Sequence, residues 1–189
     1  MDQHRGNRKT HKLYLTLLAL FVAVLLAGCH GTATKSPNVS DSIRKSLDQA
    51  GLKDVSVSQD RDKGVVTLGG QVAADADKAQ AESIAKAIAA GQVVANQIAV
   101  VPPGSESAAK AINSDLDKGI ENNLHAALIK KRLQKTVKYD VKNGVVTLNG
   151  EVNSQSTRAQ AEHIASSVPN VKQVVNSLQV KNRKANSSN

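Results

Sequence analysis

The feature that most constrains this chain is a phrase that occurs twice. Residues 64 to 72 read Gly-Val-Val-Thr-Leu-Gly-Gly-Gln-Val, and residues 144 to 152 read Gly-Val-Val-Thr-Leu-Asn-Gly-Glu-Val. The offset of 80 residues persists without a gap: Ala79-Gln80-Ala81-Glu82 returns as Ala159-Gln160-Ala161-Glu162, Val94 as Val174, Asn96 as Asn176 and Val100 as Val180. Close to half of the positions from 64 to 100 are identical at that offset, which marks an internal duplication. The 189 residues therefore hold two small modules of roughly 65 residues each. At that size a single core is only marginally stable, and neither copy has room for a deep cleft.

Each copy shows the same order of periodic segments. In the first, Ile43 and Leu47 share a helical face, with Ser40 or Asp41 as the cap and Gly51 as the stop. Val55 and Val57 alternate with polar residues in a strand, and Val66, Leu68, Gly70 and Val72 share a face of the next. A second helix from about Asp75 to Ala90 carries Ala81, Ile84, Ala85 and Ile88, and a last strand places Val94, Asn96, Ile98 and Val100 on one face. The second copy repeats this. Ile120, Leu124, Leu128 and Leu133 line its first helix, Val137, Tyr139 and Val141 alternate, and Asn143-Gly144 supplies a hairpin turn that needs positive φ twice. The predicted class is α+β, with two tandem α-β-β-α-β modules, each a three-stranded sheet with two helices on one face. The two prolines and the glycine in Val101-Pro102-Pro103-Gly104-Ser105 mark the linker.

The N-terminus reads as a secretory leader: Arg5, Arg8, Lys9 and Lys12 precede an apolar run from Leu13 to Ala27, shorter than the ~20 residues of a spanning helix. An uncleaved membrane anchor is the alternative. The run ends in Leu26-Ala27-Gly28-Cys29, which resembles the bacterial lipobox, where cleavage precedes a cysteine that takes a diacylglyceryl group. An ordinary cleavage site near Cys29 is the competing reading. Cys29 is the only cysteine, so no internal disulfide or multi-cysteine metal site exists. His30 rather than Asp follows it, which favours outer-membrane over inner-membrane sorting. The expected boundaries are a signal peptide over 1–28, a tether over 29–37, modules over 38–101 and 112–180 with a linker over 102–111, and a disordered basic tail over 181–189.

The doubled Gly-x-Val-x-Leu-x-Gly-x-Val strand, followed by a helix and a Val-x-Asn-x-Leu/Ile-x-Val strand, resembles the BON domain, and the resemblance covers residues 38 to 180. That family occurs in bacterial periplasmic and outer-membrane proteins. The resemblance implies a lipid-anchored envelope protein on the periplasmic face of the outer membrane. It also implies contact with anionic phospholipid through the first helix of the second copy, and a part in envelope integrity or osmotic stress.

Charge is consistent with that implication. The chain carries a net +9, but residues 38 to 101 hold seven basic and eight acidic residues, whereas residues 105 to 189 hold thirteen and seven. Lys130, Lys131, Arg132, Lys135 and Lys138 cluster at the end of the second copy's first helix and the start of the next strand, with Ile129 and Leu133 beside them as candidate apolar contacts. These seven are the candidate phospholipid-binding residues. A solvated face is the competing reading, since cations also suit a helix C-terminus. Nucleic acid is rejected as a partner, because Tyr139 is the only aromatic residue beyond the leader and no stacking platform exists. His125 and His163 have no ligand-spaced partners, Gly69-Gly70 lies inside a strand, and no serine has a partnered base, so no catalytic residue, metal site or cofactor is expected. Glu82 and Glu162, the one repeated carboxylate pair, are expected to face solvent. An adapter bridging envelope proteins, or a soluble periplasmic protein with Cys29 unmodified, are the alternative functions.

Overall fold

A computed structural model describes residues 35–181. The leader, Cys29, the tether through residue 34 and the tail beyond Lys181 lie outside the described residues. The first module comprises α1 (Ser40–Gln49), β1 (Val55–Asp60), β2 (Val65–Val72), α2 (Asp75–Ile88), β3 (Val93–Asn96) and β4 (Ala99–Val100). The second comprises α3 (Glu106–Lys130), β5 (Val137–Lys142), β6 (Val145–Val152), α4 (Gln155–Ser166), β7 (Gln173–Asn176) and β8 (Gln179–Val180). The α-β-β-α-β order stands, twice.

In each module one strand receives all the pairing. β1 runs antiparallel to β2 and β3 parallel to it, and α2 is the crossover that a parallel pair requires. The expected single last strand is in two pieces, β3 and β4. Both pair with β2, and the register does not slip between them: Leu68 faces Asn96 and Gln71 faces Ala99. β6 holds β5, β7 and β8 in the same way. The apolar stripes predicted from periodicity meet on one sheet face. Ile43, Leu47, Val66, Leu68, Ala81, Ala85 and Ile98 form the first core, and Ile120, Leu124, Leu128, Val146, Leu148, Ala161, Ala165 and Leu178 the second.

The break in the last strand has a chemical cause, which also gives the two glutamates a partner. The Asn96 side chain donates to Glu82 Oε2 at 2.9 Å and to the Lys78 carbonyl at 3.3 Å, while its Oδ1 accepts from the Ile98 N–H at 3.3 Å. Asn176 does the same with Glu162 at 2.8 Å, the Arg158 carbonyl at 3.2 Å and the Leu178 N–H at 3.2 Å. Lys78 donates to the Ile98 carbonyl at 2.7 Å, and Arg158 to the carbonyls of Leu178 and Asn176 at 3.0 and 2.9 Å. A Lys/Arg–Glu–Asn latch thus ties the second helix to the interrupted strand in both copies. Glu162 is exposed, as expected, and Glu82 is half-buried; both carboxylates nonetheless hold the asparagine amide.

Several local expectations shift. Neither Ser40 nor Asp41 caps α1. Ser40 is its first residue, and the Asn38 side chain accepts from the Ser40 N–H at 3.3 Å. Helix α3 begins at Glu106, inside the stretch read as linker, so its first turns overhang the second module and expose Ile112 and Leu116. Lys181 is not a free tail residue, because its N–H donates to the Val152 carbonyl at 2.8 Å. The Asn143-Gly144 turn forms as predicted, with φ of 51° and 80°, and Asp117 accepts both turn N–H groups at 2.7 and 2.8 Å.

The modules also touch through the other face of their sheets. Val65 and Ala95 of the first meet Val145 and Val175 of the second, all nearly fully buried in a cluster separate from both cores. Gln173 donates to the Val94 carbonyl at 2.7 Å and accepts from the Asn96 N–H at 3.1 Å. Asn143 donates to the Gln97 carbonyl at 2.7 Å, and Lys63 to Asn149 Oδ1 at 3.0 Å.

Two measurements check this account. A Cβ at Gly70, where φ is +91°, would overlap the carbonyl oxygen of Asp54, just before β1. Gly70→Ala is therefore expected to cost about 2–3 kcal/mol, read as a lower denaturation midpoint. Glu82 is held below the usual carboxylate range, first by the Asn96 hydrogen bond and then by Lys86. A depressed carboxylate contributes stability that is present above its unfolded value, 4.5, and is lost as pH falls through the folded one. Stability is expected to fall in that acidic window, and Glu82→Gln to flatten the fall there.

Candidate functional site

The basic end of the second module is built by the way α3 stops. Lys130 is its last residue, and Arg132 takes a left-handed φ of 59°. This lets the Arg132 N–H reach the Ile129 carbonyl and the Leu133 N–H reach back to the Leu128 carbonyl, both at 2.9 Å. This is a Schellman closure. In the first module Gly51 fills the same role with φ of 82°, and Leu52 N–H bonds the Leu47 carbonyl at 2.9 Å. An arginine thus stands where the duplicated copy has glycine, in a conformation that costs an L-residue about 1 kcal/mol or more.

The predicted residues separate into three groups. Ile129, Lys130, Lys131 and Arg132 are brought together on one exposed turn, with Lys135 exposed in the loop that follows. Lys138 is exposed on β5 opposite Asn149, on the sheet face away from the core, since its neighbours Val137 and Tyr139 pack on the core side. Leu133 is corrected: it lies past the helix rather than on it, and at 9% exposure it belongs to the module core. Ile129, 48% exposed, is left as the one large apolar side chain presented at this end. Among the described residues no carboxylate lies within ion-pair distance of any of the five cations.

The sequence reading missed the groove beside them. Between α3 and α4 lies an open groove of about 480 Å³, with Lys130, Lys131 and His163 on its rim and Ala127, Ile164 and Val168 among its apolar lining. His163 replaces Ser83 of the first copy, and in sequence that exchange shows only as a variable exposed site. The groove offers two ammonium groups above an aliphatic floor, which suits an amphiphilic anion better than a fully solvated one. Among the described residues no group of three or more His, Cys, Asp or Glu side chains could hold a metal ion. No described helix is long and apolar enough to cross a membrane.

Comparison with known proteins bears on the modules directly. The family profile of the BON domain matches residues 36–102 and 116–182. The chain is 31% identical over 137 residues to "Osmotically-inducible protein Y" of Escherichia coli (strain K12), a match spanning 71% of this chain and 67% of that protein. Two structures of CdsD, a structural protein of the type III secretion system of Chlamydia trachomatis, align at 11% and 12% identity. They cover 75% and 76% of this chain and 67% and 62% of theirs, with a TM-score of 0.32 in both cases. That likeness is too low to inform function or module arrangement.

The closure of α3 yields its own test. Arg132→Gly relieves the left-handed strain and is expected to raise the stability of the second module by about 0.5–1 kcal/mol, seen as a higher thermal midpoint. An unchanged or lower midpoint would show that the arginine is held there by contacts worth as much as its strain.

Proposed function

Because the chain belongs to the BON-domain family and carries two copies of the domain, we propose that it is a non-enzymatic envelope protein whose second module docks on anionic phospholipid. Its role is in osmotic-stress tolerance and envelope integrity. The carrying observation is the unpaired basic turn from Lys130 to Arg132, which surrounds exposed Ile129 and borders the groove between α3 and α4. A basic side chain at an anionic bilayer contributes roughly 1 kcal/mol. Four of them, with one inserted isoleucine, suffice to orient a module that is already held near the surface. Acylation at Cys29 would hold it there, on the periplasmic face of the outer membrane. Likeness to an osmotically inducible protein supports the stress role. The first module, with one more acidic than basic residue over 38 to 101, serves as spacer and cover.

An adapter role is favoured by a different observation, the exposed Ile112 and Leu116 on the overhanging turns of α3. Vesicle titration separates the two. The chain from Gly31 to Asn189 is expected to bind vesicles containing phosphatidylglycerol or cardiolipin, and not phosphatidylcholine alone, with affinity that falls as salt rises. Replacing Lys130, Lys131, Arg132 and Lys135 by Gln should weaken binding about 1000-fold, since each lost cation is worth roughly 1 kcal/mol. Unaltered binding by that variant would sink the docking role and leave the adapter reading.

A further inference from the structure

The contact between the modules is self-complementary. The 80-residue offset carries Val65 onto Val145 and Ala95 onto Val175, so each module contributes the same face. An interface that uses one patch on both sides has the logic of a two-fold pair, in which either half also fits a copy of itself. Strands β3 and β7 lie against each other across it. These four side chains point away from both module cores, so the face is additional to what each module needs for its own packing.

The polar part breaks the symmetry. Gln173 acts as a substitute strand partner for the open edge of β3, bonding the Val94 carbonyl and the Asn96 N–H. Eighty residues earlier stands Val93, 46% exposed, which has no group with which to return the bonds to β7. Ser177, which corresponds to Gln97, has a buried hydroxyl with no hydrogen-bond partner. Within one chain only one of two equivalent edge contacts is made. Two copies of the second module would bring a Gln173 to each β7 edge and set Val175 where Ala95 now sits.

We propose that the second module's face fits a second copy of itself, so that two chains join through their second modules whenever the first module lets go. In the closed chain the first module is an internal cover. The five-residue linker Val101–Ser105 gives that cover a roughly millimolar effective concentration, so dilute chains stay closed. Crowding on a membrane surface, or weakening of the cover, shifts chains toward the pair.

The test weakens the cover in the full chain carrying Cys29→Ser. Ala95→Glu places a charge on the shared face while leaving the first core untouched. Sedimentation at about 0.1–1 mM, approaching the cover's effective concentration, should then show dimers where the parent is a monomer. Adding Val175→Cys should give a chain–chain product with a short thiol cross-linker, well above that from a control Lys110→Cys. If the charge unfolds the first module, the second still carries the tested face and the cross-link is still expected. Adding Gln173→Leu should return the species to monomer, with amide spectra confirming that the second module remains folded. Val93→Gln, at an exposed position, supplies the missing clamp within the chain and should reduce the Val175→Cys product in the parent background. Monomers throughout, cross-linking no better than the control, or dimers indifferent to residue 173 would overturn the proposal.

Discussion

Each module hangs on a single strand. β2 and β6 are hydrogen-bonded on one side to an antiparallel neighbour and on the other to a parallel one, so every sheet contact passes through them. That arrangement demands close approach at one end. At Gly70 and Gly150 the φ values are 91° and 118°, and a Cβ would run into the carbonyl of Asp54 or Thr136, the residue just before the preceding strand. The glycine at the seventh position of the repeated phrase is therefore the residue that lets the start of the first strand approach so closely. Without it the hairpin would have to splay, and the helix packed on that face would lose its floor.

Much of this was visible in the sequence, because helices and half-buried strands write their periods into it. The stripe Ile120–Leu124–Leu128 and the alternation Val137–Tyr139–Val141 both led to buried faces, though Tyr139 is only half-buried. Periodicity was silent on three matters. It assigns one apolar face per strand, whereas the doublets Val65-Val66, Val145-Val146 and Val174-Val175 carry apolar residues on both, and the second face of each is where the modules meet. It cannot tell a polar residue that breaks a strand from one that faces water, so Asn96 and Asn176 passed as ordinary strand positions. It also ran the stripe of α3 on to Leu133, because Arg132 occupies the turn that glycine announces at residue 51.

The candidate site shows the same division. The cations were legible, and so was their division between the helix end and the start of the next strand. Three lie on one helix-terminal turn, Lys135 in the loop that follows and Lys138 on the sheet. The groove depends on α4 packing beside α3, a contact between segments more than thirty residues apart that no local pattern encodes. The two copies have diverged at helix ends, where Gly51 of the first stands against Arg132 of the second. Gly91 has open space about it but a left-handed φ of 82°, whereas its counterpart Val171 has no positive φ and packs on the second core.

The latch at Asn96 and Asn176 limits what evolution can do with this fold. Each asparagine uses its amide to hold a glutamate and a carbonyl, and its oxygen to hold a backbone N–H two residues on. Aspartate there would face the glutamate as a like charge, glutamine would overshoot, and an aliphatic residue would leave the backbone N–H two residues on without its acceptor. The position can change only together with the glutamate and the strand break. Drift in such modules is thus channelled into helix ends, linkers and outer sheet faces, the surfaces through which two otherwise similar copies acquire different partners.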